Sequence, residues 1–433
     1  MSRGRRCPLI EWFVGADETV GTQTGRSGRR RTARDADGPL GTQTDRWDSG
    51  PYRTHMNRRQ LLQSIAAAPV AATLAARTVA AAAQPESAGG AADHVVVISL
   101  DGVRTQEMFG GLDTTILQAV LGPKRKAEEH ALHKRFWRET REARREALMP
   151  FLWGTFLKQH ASIVGDRESG SVMTLGNTMR FSYPGYAELM TGAPHDDAIT
   201  SNDNRRYPFE TVLQFLRREF ALPREGVACF GSWNVFESIP SSKDGDVFIN
   251  AGYQDYPTAD PRLQALNVAQ HVTVPVWDSA RYDHYTWQFA LDHLQRHRPK
   301  ALWIALDETD DWSHNGSYVR VIEYLHRFDG WLEALWKTLQ ATAPFAGRTA
   351  IMLVTDHGRG NGPEDWRSHG KDVEGAQYVW AIVAAPHWRA RGVWKAGHAP
   401  ASQSQVAGTV AALVGKDWKK ASPAAGAPLA PPA

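Results

Sequence analysis

Seven side chains with oxygen or nitrogen donors stand in short polar clusters in this sequence. They are Asp101, Ser182, Asp310, His314, Asp356, His357 and His398. Carboxylate and imidazole groups suit zinc, and two ions held roughly 4 Å apart can activate a nucleophile while they hold a leaving oxygen. Ser182 is the potential nucleophile of such a site. Each cluster alone is a weak signal, and together they suit hydrolytic chemistry at two metal ions.

The spacing of Asp310 and His314 gives a geometric reason to pair them. Residues four positions apart share one face of a helix, so both side chains converge if the segment is helical. Asp311 is the competing neighbour, and the four-residue step to His314 selects Asp310. The chain has two cysteines, Cys7 and Cys229, which are too few for a cysteine-rich zinc site. Any metal must therefore bind to oxygen and imidazole ligands.

Three hydrophobic runs position the carboxylates. The runs HVVVISL, ALWIAL and TAIMLVT lead into Asp101, the Asp310 cluster and Asp356. Such runs predict buried parallel strands, and open α/β folds bind ligands at the carboxyl ends of these strands. Helical segments alternate with the strands. The sequence therefore predicts an α/β fold, a three-layer sandwich with a mostly parallel central sheet flanked by helices.

The remaining elements are predicted from periodicity and from turn-forming residues. They are two helices within residues 123 to 160 interrupted by Pro150, a turn at Ser182, a helix from Phe209 to Phe220, a strand from Gly226, a surface excursion at residues 240 to 275, a helix from Tyr318 to Leu339, a strand from Tyr378 and a helix after His398. No internal repeat or second domain boundary is evident, so we expect one catalytic domain over residues 93 to 418.

The two ends of the chain differ in composition from this domain. Residues 1 to 55 lack hydrophobic periodicity and are predicted to be disordered, or to precede the true start at Met56. Residues 56 to 83 carry an arginine pair, a short apolar run and small residues, which is typical of a twin-arginine export signal. Residues 84 to 92 form a linker, and the low-complexity residues 419 to 433 are predicted to be frayed. We expect a bacterial protein, periplasmic or secreted, that is not an integral membrane protein after processing.

The charge of the chain depends on that leader. The formal net charge is +3, but 13 of the 50 basic and 7 of the 47 acidic residues precede Gln84, which leaves 37 basic against 40 acidic residues. A slightly acidic body gives no compositional reason to expect binding of a nucleic-acid polymer. We expect a small-molecule substrate, and the sequence gives no indication of an oligomeric state.

The nucleophile segment and three further motifs resemble the alkaline phosphatase superfamily, and most closely its nucleotide pyrophosphatase/phosphodiesterase branch. That branch has Thr or Ser before an aromatic residue and Pro, with Thr-Gly nine and ten residues after the nucleophile. The matching residues are Ser182, Tyr183, Pro184, Thr191 and Gly192. Its Gly-Ile-x-x-Asn, Pro-Asp-x-x-Gly-His and Thr-Ser-Asp-His-Gly elements resemble residues 198 to 202, 309 to 314 and 354 to 358. Ala198, Thr309 and Ser313 depart from the first two of these patterns, and Val354 and Thr355 stand where the third has Thr and Ser.

The resemblance covers residues 93 to about 418 and implies two Zn²⁺ ions, or other divalent ions such as Mn²⁺. One ion would bind to Asp101, Asp356, His357 and Ser182, and the other to Asp310, His314 and His398. It also implies an in-line displacement in which Ser182 attacks phosphorus and water then hydrolyses the phosphoseryl intermediate. Asn202 and a backbone N–H would hold the non-bridging oxygens. The implied activity is the hydrolysis of phosphate mono- or diesters.

Several assignments stay open at the level of the sequence. His369 competes with His398 for the last ligand place, and otherwise lines the pocket. Arg104 and Arg180 are candidates to clamp a phosphate monoester, and Trp312 is a candidate for the pocket wall. The motif at the nucleophile favours a diester substrate only modestly.

Three other functions compete with this interpretation. A sulfatase of the same superfamily needs Arg four residues after its Ser or Cys, where this chain has Tyr186. A phosphotransferase such as the cofactor-independent phosphoglycerate mutase is typically cytoplasmic, which the export signal disfavours. An exported binding protein without catalysis is disfavoured because all seven candidate ligands are present.

Overall fold

The computed structural model describes residues 90 to 430, except positions 387 and 391. The segments predicted for residues 1 to 55 and 56 to 83 lie outside the described residues, as do residues 84 to 89 of the predicted linker. Within the described part of the chain, no helix is both long enough and apolar enough to cross a membrane.

Ten strands form two sheets in the described residues. They are β1 (His94–Leu100), β2 (Ala161–Val164), β3 (Met173–Thr174), β4 (Val227–Gly231), β5 (Phe248–Ala251), β6 (Ala301–Leu306), β7 (Thr349–Val354), β8 (Ala381–Ala384), β9 (Gly392–Val393) and β10 (Ala401–Ser402). The central sheet has the order β5, β4, β6, β1, β7, β8, β2, β9, and β3 pairs with β10. Only β8 runs antiparallel to its neighbours among the described strands. The predicted, mostly parallel sheet is confirmed.

The helices cover both faces of this sheet. They are α1 (Thr105–Gly110), α2 (Thr114–Leu121), α3 (Ala131–Phe136), α4 (Arg141–Leu148), α5 (Leu157–Gln159), α6 (Ser182–Thr191), α7 (Val212–Glu219), α8 (Pro261–Val272), α9 (Asp283–His297), α10 (Glu308–His314), α11 (Tyr318–Ala341), α12 (Val406–Leu413) and α13 (Trp418–Ala421). A π-helical turn, Leu152–Phe156, leads into α5. Short 3₁₀ turns lie at Ala127–Glu129, Arg167–Ser169, Arg224–Gly226, Asn234–Glu237 and Gln403–Gln405.

The alternation of side chains along β1 divides the interior into two cores. Val96 and Ile98 lie in one core, together with residues of α1, α2, α9 and α11. Val95 and Val97 lie in the other, together with residues of α6, α7 and α12. Successive side chains of a strand point to opposite faces, so a strand that is apolar at every position needs a layer on each side. The three-layer sandwich expected from the sequence is confirmed.

Three stretches differ from the sequence prediction. Residues 123 to 160 form several short helical pieces instead of two helices, because His130 and Thr140 cap new helices within the charged run. The excursion at residues 240 to 275 contains β5 and α8. Asp260 caps α8 and Pro261 occupies its first position, where the missing N–H of proline has no cost. The predicted strand near residue 378 begins later, as β8, and is antiparallel.

The C-terminal segment packs against the domain, in contrast to the predicted frayed tail. Ala425 and Leu429 are buried in the second core. The N–H of Gly426 donates to the carbonyl of Gly192 at 3.0 Å, and the N–H of Leu429 donates to Thr409 Oγ1 at 2.8 Å. Local composition predicts a free tail here, but long-range burial of two apolar side chains orders it.

Replacing Leu429 with alanine is therefore expected to lower the free energy of unfolding by about 2 kcal/mol, the lower range for a buried leucine. Urea unfolding followed by circular dichroism measures the change. Lys420→Ala is the control, because that side chain is 84% exposed. Equal unfolding midpoints for Leu429→Ala and wild type would mean that the tail does not stabilise the domain.

Candidate functional site

The carboxyl ends of three neighbouring strands carry the predicted acidic residues. Strands β6, β1 and β7 lie side by side at the centre of the sheet. Asp101 directly follows β1, Asp356 lies two residues after β7, and Asp310 lies on α10, which begins two residues after β6. Neighbouring strands are about 4.8 Å apart, so these three ends form one compact edge of the sheet.

The first ligand group consists of Asp101, Asp356 and His357, which are all fully buried. His357 Nε2 lies 3.4 Å from Asp101 Oδ1 and 3.4 Å from Asp356 Oδ2. Ser182 Oγ is 3.3 Å from the same nitrogen. Asp356 Oδ1 accepts a hydrogen bond from the N–H of Gly102 at 3.0 Å, so Oδ2 is the oxygen that faces the group. The structure thus brings together the four residues assigned to one ion.

Ser182 is the first residue of α6 rather than part of a turn, and it is 6% exposed. Helix α6 approaches the end of β7 so closely that a Cβ on Gly185 would lie 2.5 Å from the Asp356 carbonyl oxygen. Gln403 Nε2 donates to the carbonyl oxygens of Gly185 and Asp356, at 2.8 and 3.0 Å. Gln403, which no motif in the sequence indicates, therefore links α6 to the first ligand group by hydrogen bonds.

A buried carboxylate on α6 holds the loop that precedes the nucleophile. Glu188 accepts hydrogen bonds from the N–H groups of Gly176 and Asn177, at 2.8 and 2.9 Å. Asn177 Oδ1 in turn accepts from the N–H of Arg180 at 2.9 Å. The φ of Arg180 is 55°, a left-handed conformation that persists only where neighbours enforce it. These bonds fix the path of the chain into Ser182.

Asn202 lies beside the N-terminus of α6. Its Oδ1 accepts a hydrogen bond from the N–H of Tyr183 at 3.0 Å, which orients the carboxamide and leaves Nδ2 as a donor. The N–H of Ser182 makes no hydrogen bond within the described residues. Free N–H groups at a helix N-terminus favour anions. Asn202 Nδ2 and the Ser182 N–H are therefore two donors near the N-terminus of α6 that remain available to an anion.

The second ligand group consists of Asp310, His314 and His369. Asp310 and His314 lie one turn apart on α10, as their spacing predicts, with Oδ2 and Nε2 3.2 Å apart. The Nε2 atoms of His314 and His369 are 2.9 Å apart. Asp310 Oδ1 is 3.8 Å from His357 Nε2. The second group therefore adjoins the first.

His398, predicted as the last ligand, belongs to neither group. It is exposed, and its ring centroid lies 5.5 Å from that of Trp394. The loop after β7 folds back on itself, with the N–H of Gly360 donating to the Ser368 carbonyl at 3.0 Å. That return brings His369 to the sheet edge. The structure therefore places His369, and not His398, beside Asp310 and His314.

The other predicted pocket residues have defined surroundings. Arg104 is buried and pairs with Glu107, so its guanidinium has a carboxylate partner within the fold. Arg180 is half-buried, and its Nη1 lies 3.5 Å from a loop carbonyl. Trp312 is half-buried, and its Nε1 donates to Glu308 Oε2 at 3.1 Å. Of the two arginines proposed to clamp phosphate, Arg104 is therefore engaged elsewhere.

The donor set fits divalent cations. Both carboxylate oxygens of Asp101 and Oδ2 of Asp356 are buried without a hydrogen-bond partner among the described residues, which is costly for charged groups. Burial, reinforced by Asp356, raises the pKa of Asp101 well above its usual range. Burial also lowers the pKa of His357 and of His369, so both imidazoles are neutral, the form that binds metal. A bound cation would satisfy the carboxylate oxygens and return Asp101 to its charged form.

The chain is similar to several solved structures at low sequence identity. A phosphonate monoester hydrolase from Silicibacter pomeroyi is 13% identical, with a TM-score of 0.47 over 78% of this chain and 76% of that chain. A protein in the alkaline phosphatase superfamily from Vibrio parahaemolyticus is 11% identical, with a TM-score of 0.43 over 76% and 67%. The C-terminal periplasmic domain of EptC from Escherichia coli, solved in complex with Zn, is 9% identical, with a TM-score of 0.43 over 76% and 84%.

No protein-family model matches the chain, and no curated protein matches it. At these identities a likeness between structures concerns the fold alone. The finer resemblance, to the nucleotide pyrophosphatase/phosphodiesterase branch, rests on the motifs and stays a prediction. The solved structures to which this chain is similar include a member of the alkaline phosphatase superfamily, which is the family that its motifs resemble.

Proposed function

We propose that this chain is an exported, zinc-dependent phosphoric ester hydrolase of the alkaline phosphatase superfamily that forms a phosphoseryl intermediate on Ser182. The observation that carries the proposal is the position of Ser182 Oγ, 3.3 Å from His357 Nε2 of the first ligand group, which adjoins the second. A serine hydroxyl is a weak nucleophile unless a base or a metal ion activates it. The groups around this hydroxyl are carboxylates and neutral imidazoles, which suit metal ions.

In this proposal one Zn²⁺ binds to Asp101, Asp356, His357 and Ser182, and the other binds to Asp310, His314 and His369. The ions would lower the pKa of the Ser182 hydroxyl and stabilise negative charge on the reacting oxygens. His357 Nδ1 lies 2.9 Å from the Gly358 carbonyl oxygen, an arrangement that orients the ring and leaves Nε2 for a metal.

In the proposed reaction, Ser182 Oγ displaces an alcohol from the phosphorus of the substrate. The bond between Ser182 Oγ and phosphorus forms as the bond from phosphorus to the leaving alcohol oxygen breaks. Asn202 Nδ2 and the Ser182 N–H donate to the non-bridging oxygens, and removal of one such donor typically costs about 10²- to 10³-fold in rate. Water then hydrolyses the phosphoseryl group and restores Ser182. The products are inorganic phosphate from a monoester, or a phosphate monoester from a diester.

We propose a diester, a small molecule, as the preferred substrate. A monoester dianion calls for an additional cation at the phosphoryl group. Arg104 is paired with Glu107, and Arg180 Nη1 is directed to the Val373 carbonyl at 3.5 Å. Arg359, a buried arginine two residues after His357, contacts Asp310. A diester carries one negative charge fewer and needs no such clamp. The sulfatase alternative is not proposed, because Tyr186 occupies the required arginine position and is fully buried against Phe236.

The proposal is tested by assaying one zinc-loaded preparation in parallel on an aryl phosphodiester, an aryl phosphate and an aryl sulfate. We expect the diester to be hydrolysed fastest, at a rate at least about 100-fold above that of chelator-treated protein. Zinc added back should restore the rate, and the intact mass should contain unmodified serine at position 182. Hydrolysis of the sulfate alone, or no zinc-dependent hydrolysis of either phosphate ester, would contradict the proposal.

A further inference from the structure

Arg359 lies between the segments that carry the ligands and is fully buried. Its Nε donates to the Gly102 carbonyl at 3.2 Å, and its Nη1 donates to the Arg367 carbonyl at 2.7 Å. Its Nη2 forms an ion pair with Asp310 Oδ1. Within the described residues, Asp310 is the only carboxylate in ion-pair contact with this guanidinium. A buried cation without such a partner would be strongly destabilising.

Each of these three contacts reaches a segment with a proposed metal ligand. Gly102 follows Asp101 at the end of β1, Asp310 is itself a ligand, and Arg367 precedes His369 by two residues. Arg359 itself lies two residues after His357. A guanidinium offers five N–H donors in a rigid planar fork, so one side chain can hold three segments at fixed angles. A lysine ammonium has no such fork.

The contact with Arg359 also fixes the rotation of the Asp310 carboxylate. Oδ1 contacts the guanidinium and lies 3.9 Å from His369 Nε2, while Oδ2 lies 3.2 Å from His314 Nε2. Without the guanidinium, the carboxylate is free to turn about its χ2 bond, a torsion with a broad energy profile. The loop that carries His369 would lose its link to the sheet edge at the same time.

The backbone at Gly102 makes room for this arrangement. Its φ is +60°, and a Cβ there would lie 2.7 Å from Arg359 Nε and 2.8 Å from Asp310 Oδ1. An added methyl group would push the guanidinium and the carboxylate apart. The pair Asp101-Gly102 at the end of β1 thus has two roles. Asp101 is a proposed ligand, and Gly102 leaves space for the contact between Arg359 and Asp310.

We propose that Arg359 is a positioning residue that orients Asp310 and the His369 loop so that the second ligand group binds its metal ion tightly. The inference rests on the proposed function in one respect, since it takes the two groups as metal ligands. It goes further in that it assigns the affinity of one particular ion to a side chain that is not itself a proposed ligand.

The test compares zinc binding by wild type, Arg359→Lys and Arg281→Lys in the full chain. Zinc per chain is measured by elemental analysis after dialysis, and the two affinities are measured by competition with a chromogenic chelator. Arg281 is a matched control, because it is also buried and donates to backbone carbonyls but contacts none of the proposed ligands. Thermal unfolding of the metal-free proteins reports the purely structural effect of each lysine.

For Arg359→Lys we expect the zinc ion at the second ligand group to bind roughly 10- to 100-fold less tightly, as is typical when a group that supports a ligand is replaced. The affinity for the other ion should be unaffected. Arg281→Lys should lower the unfolding temperature but leave both zinc affinities at their wild-type values. Excess zinc should restore much of the diesterase activity of Arg359→Lys, because the ligands themselves remain.

If Arg359→Lys does not fold, Arg359→Gln tests the same contact, because it removes the charged fork but keeps a hydrogen-bond donor, and the same selective loss of one ion is expected. Wild-type affinities for both ions in a folded variant would overturn the role of Arg359, and so would an equal loss at both. Wild-type protein that binds two zinc ions but hydrolyses no phosphoester would contradict the proposed function and leave the role of Arg359 standing. Wild-type protein that binds no zinc would overturn both.

Discussion

Replacing Ser182 with alanine is expected to lower phosphoester hydrolysis by roughly 10⁴- to 10⁶-fold, the range seen when a covalent nucleophile is removed from an otherwise intact site. The hydroxyl is the atom that would form the bond to phosphorus, and no other hydroxyl of the described residues lies within hydrogen-bond distance of His357 Nε2. The fold should be unchanged, because removal of one oxygen from the first turn of α6 creates no large cavity. Steady-state hydrolysis of the aryl diester measures the loss.

A matched control is Ser242→Ala, which removes a half-buried hydroxyl that donates to Gln214 far along the chain from the ligands. Its activity should equal that of wild type. Acid quenching of the wild-type reaction with the aryl diester, followed by peptide mass spectrometry, should place on Ser182 the phosphoryl group together with the ester group that has not left. Near-full activity of Ser182→Ala, or a phosphoryl group found on another residue, would contradict a covalent intermediate on Ser182.

Replacing His369 with alanine is expected to remove one of two bound zinc ions and to lower diester hydrolysis by at least about 100-fold. His369 is a proposed ligand, so its loss should exceed the roughly 10- to 100-fold change in metal affinity that follows from losing a supporting group. His314 would keep only Asp310 as a partner for the ion. Elemental analysis after dialysis and the diester assay measure the two effects.

His398→Ala is the decisive comparison, because the same change is made at the histidine that the sequence resemblance favours. His398 is exposed and belongs to neither ligand group. We therefore expect His398→Ala to bind two zinc ions and to keep wild-type activity. The reverse outcome, loss of zinc in His398→Ala and not in His369→Ala, would restore the assignment made from the motifs.

The ligands on strand ends were predictable because each follows a continuous apolar run. Such a run predicts a buried strand, and parallel strands deliver their carboxyl ends to one edge. Asp101, Asp356 and the Asp310 helix lie where this reasoning places them, and the step of four residues correctly predicts that Asp310 and His314 share a helix face. These relations are local, or follow from the sheet alone.

The errors concern residues whose position depends on distant parts of the chain. His369 and His398 both follow loops, and nothing local distinguishes a loop that folds back over the sheet edge from one that runs along the surface. The proline and glycine after Ser182 predict a turn, yet packing of α6 against β7 makes this segment the start of a helix. Glu188 and Arg359 carry no motif, because their roles are to hold other residues.

The hydrogen bonds of Gln403 set the order in which the site can assemble. Gly185 and Gln403 are 218 positions apart in the chain, and contacts between distant residues form late because the intervening segment must first be ordered. Until the segment around Gln403 has been synthesised and has docked, the helix that begins with Ser182 lacks its tie to the end of β7. A growing chain on the ribosome therefore contains every proposed ligand of the two groups before it contains Gln403, whose hydrogen bonds join α6 to the end of β7.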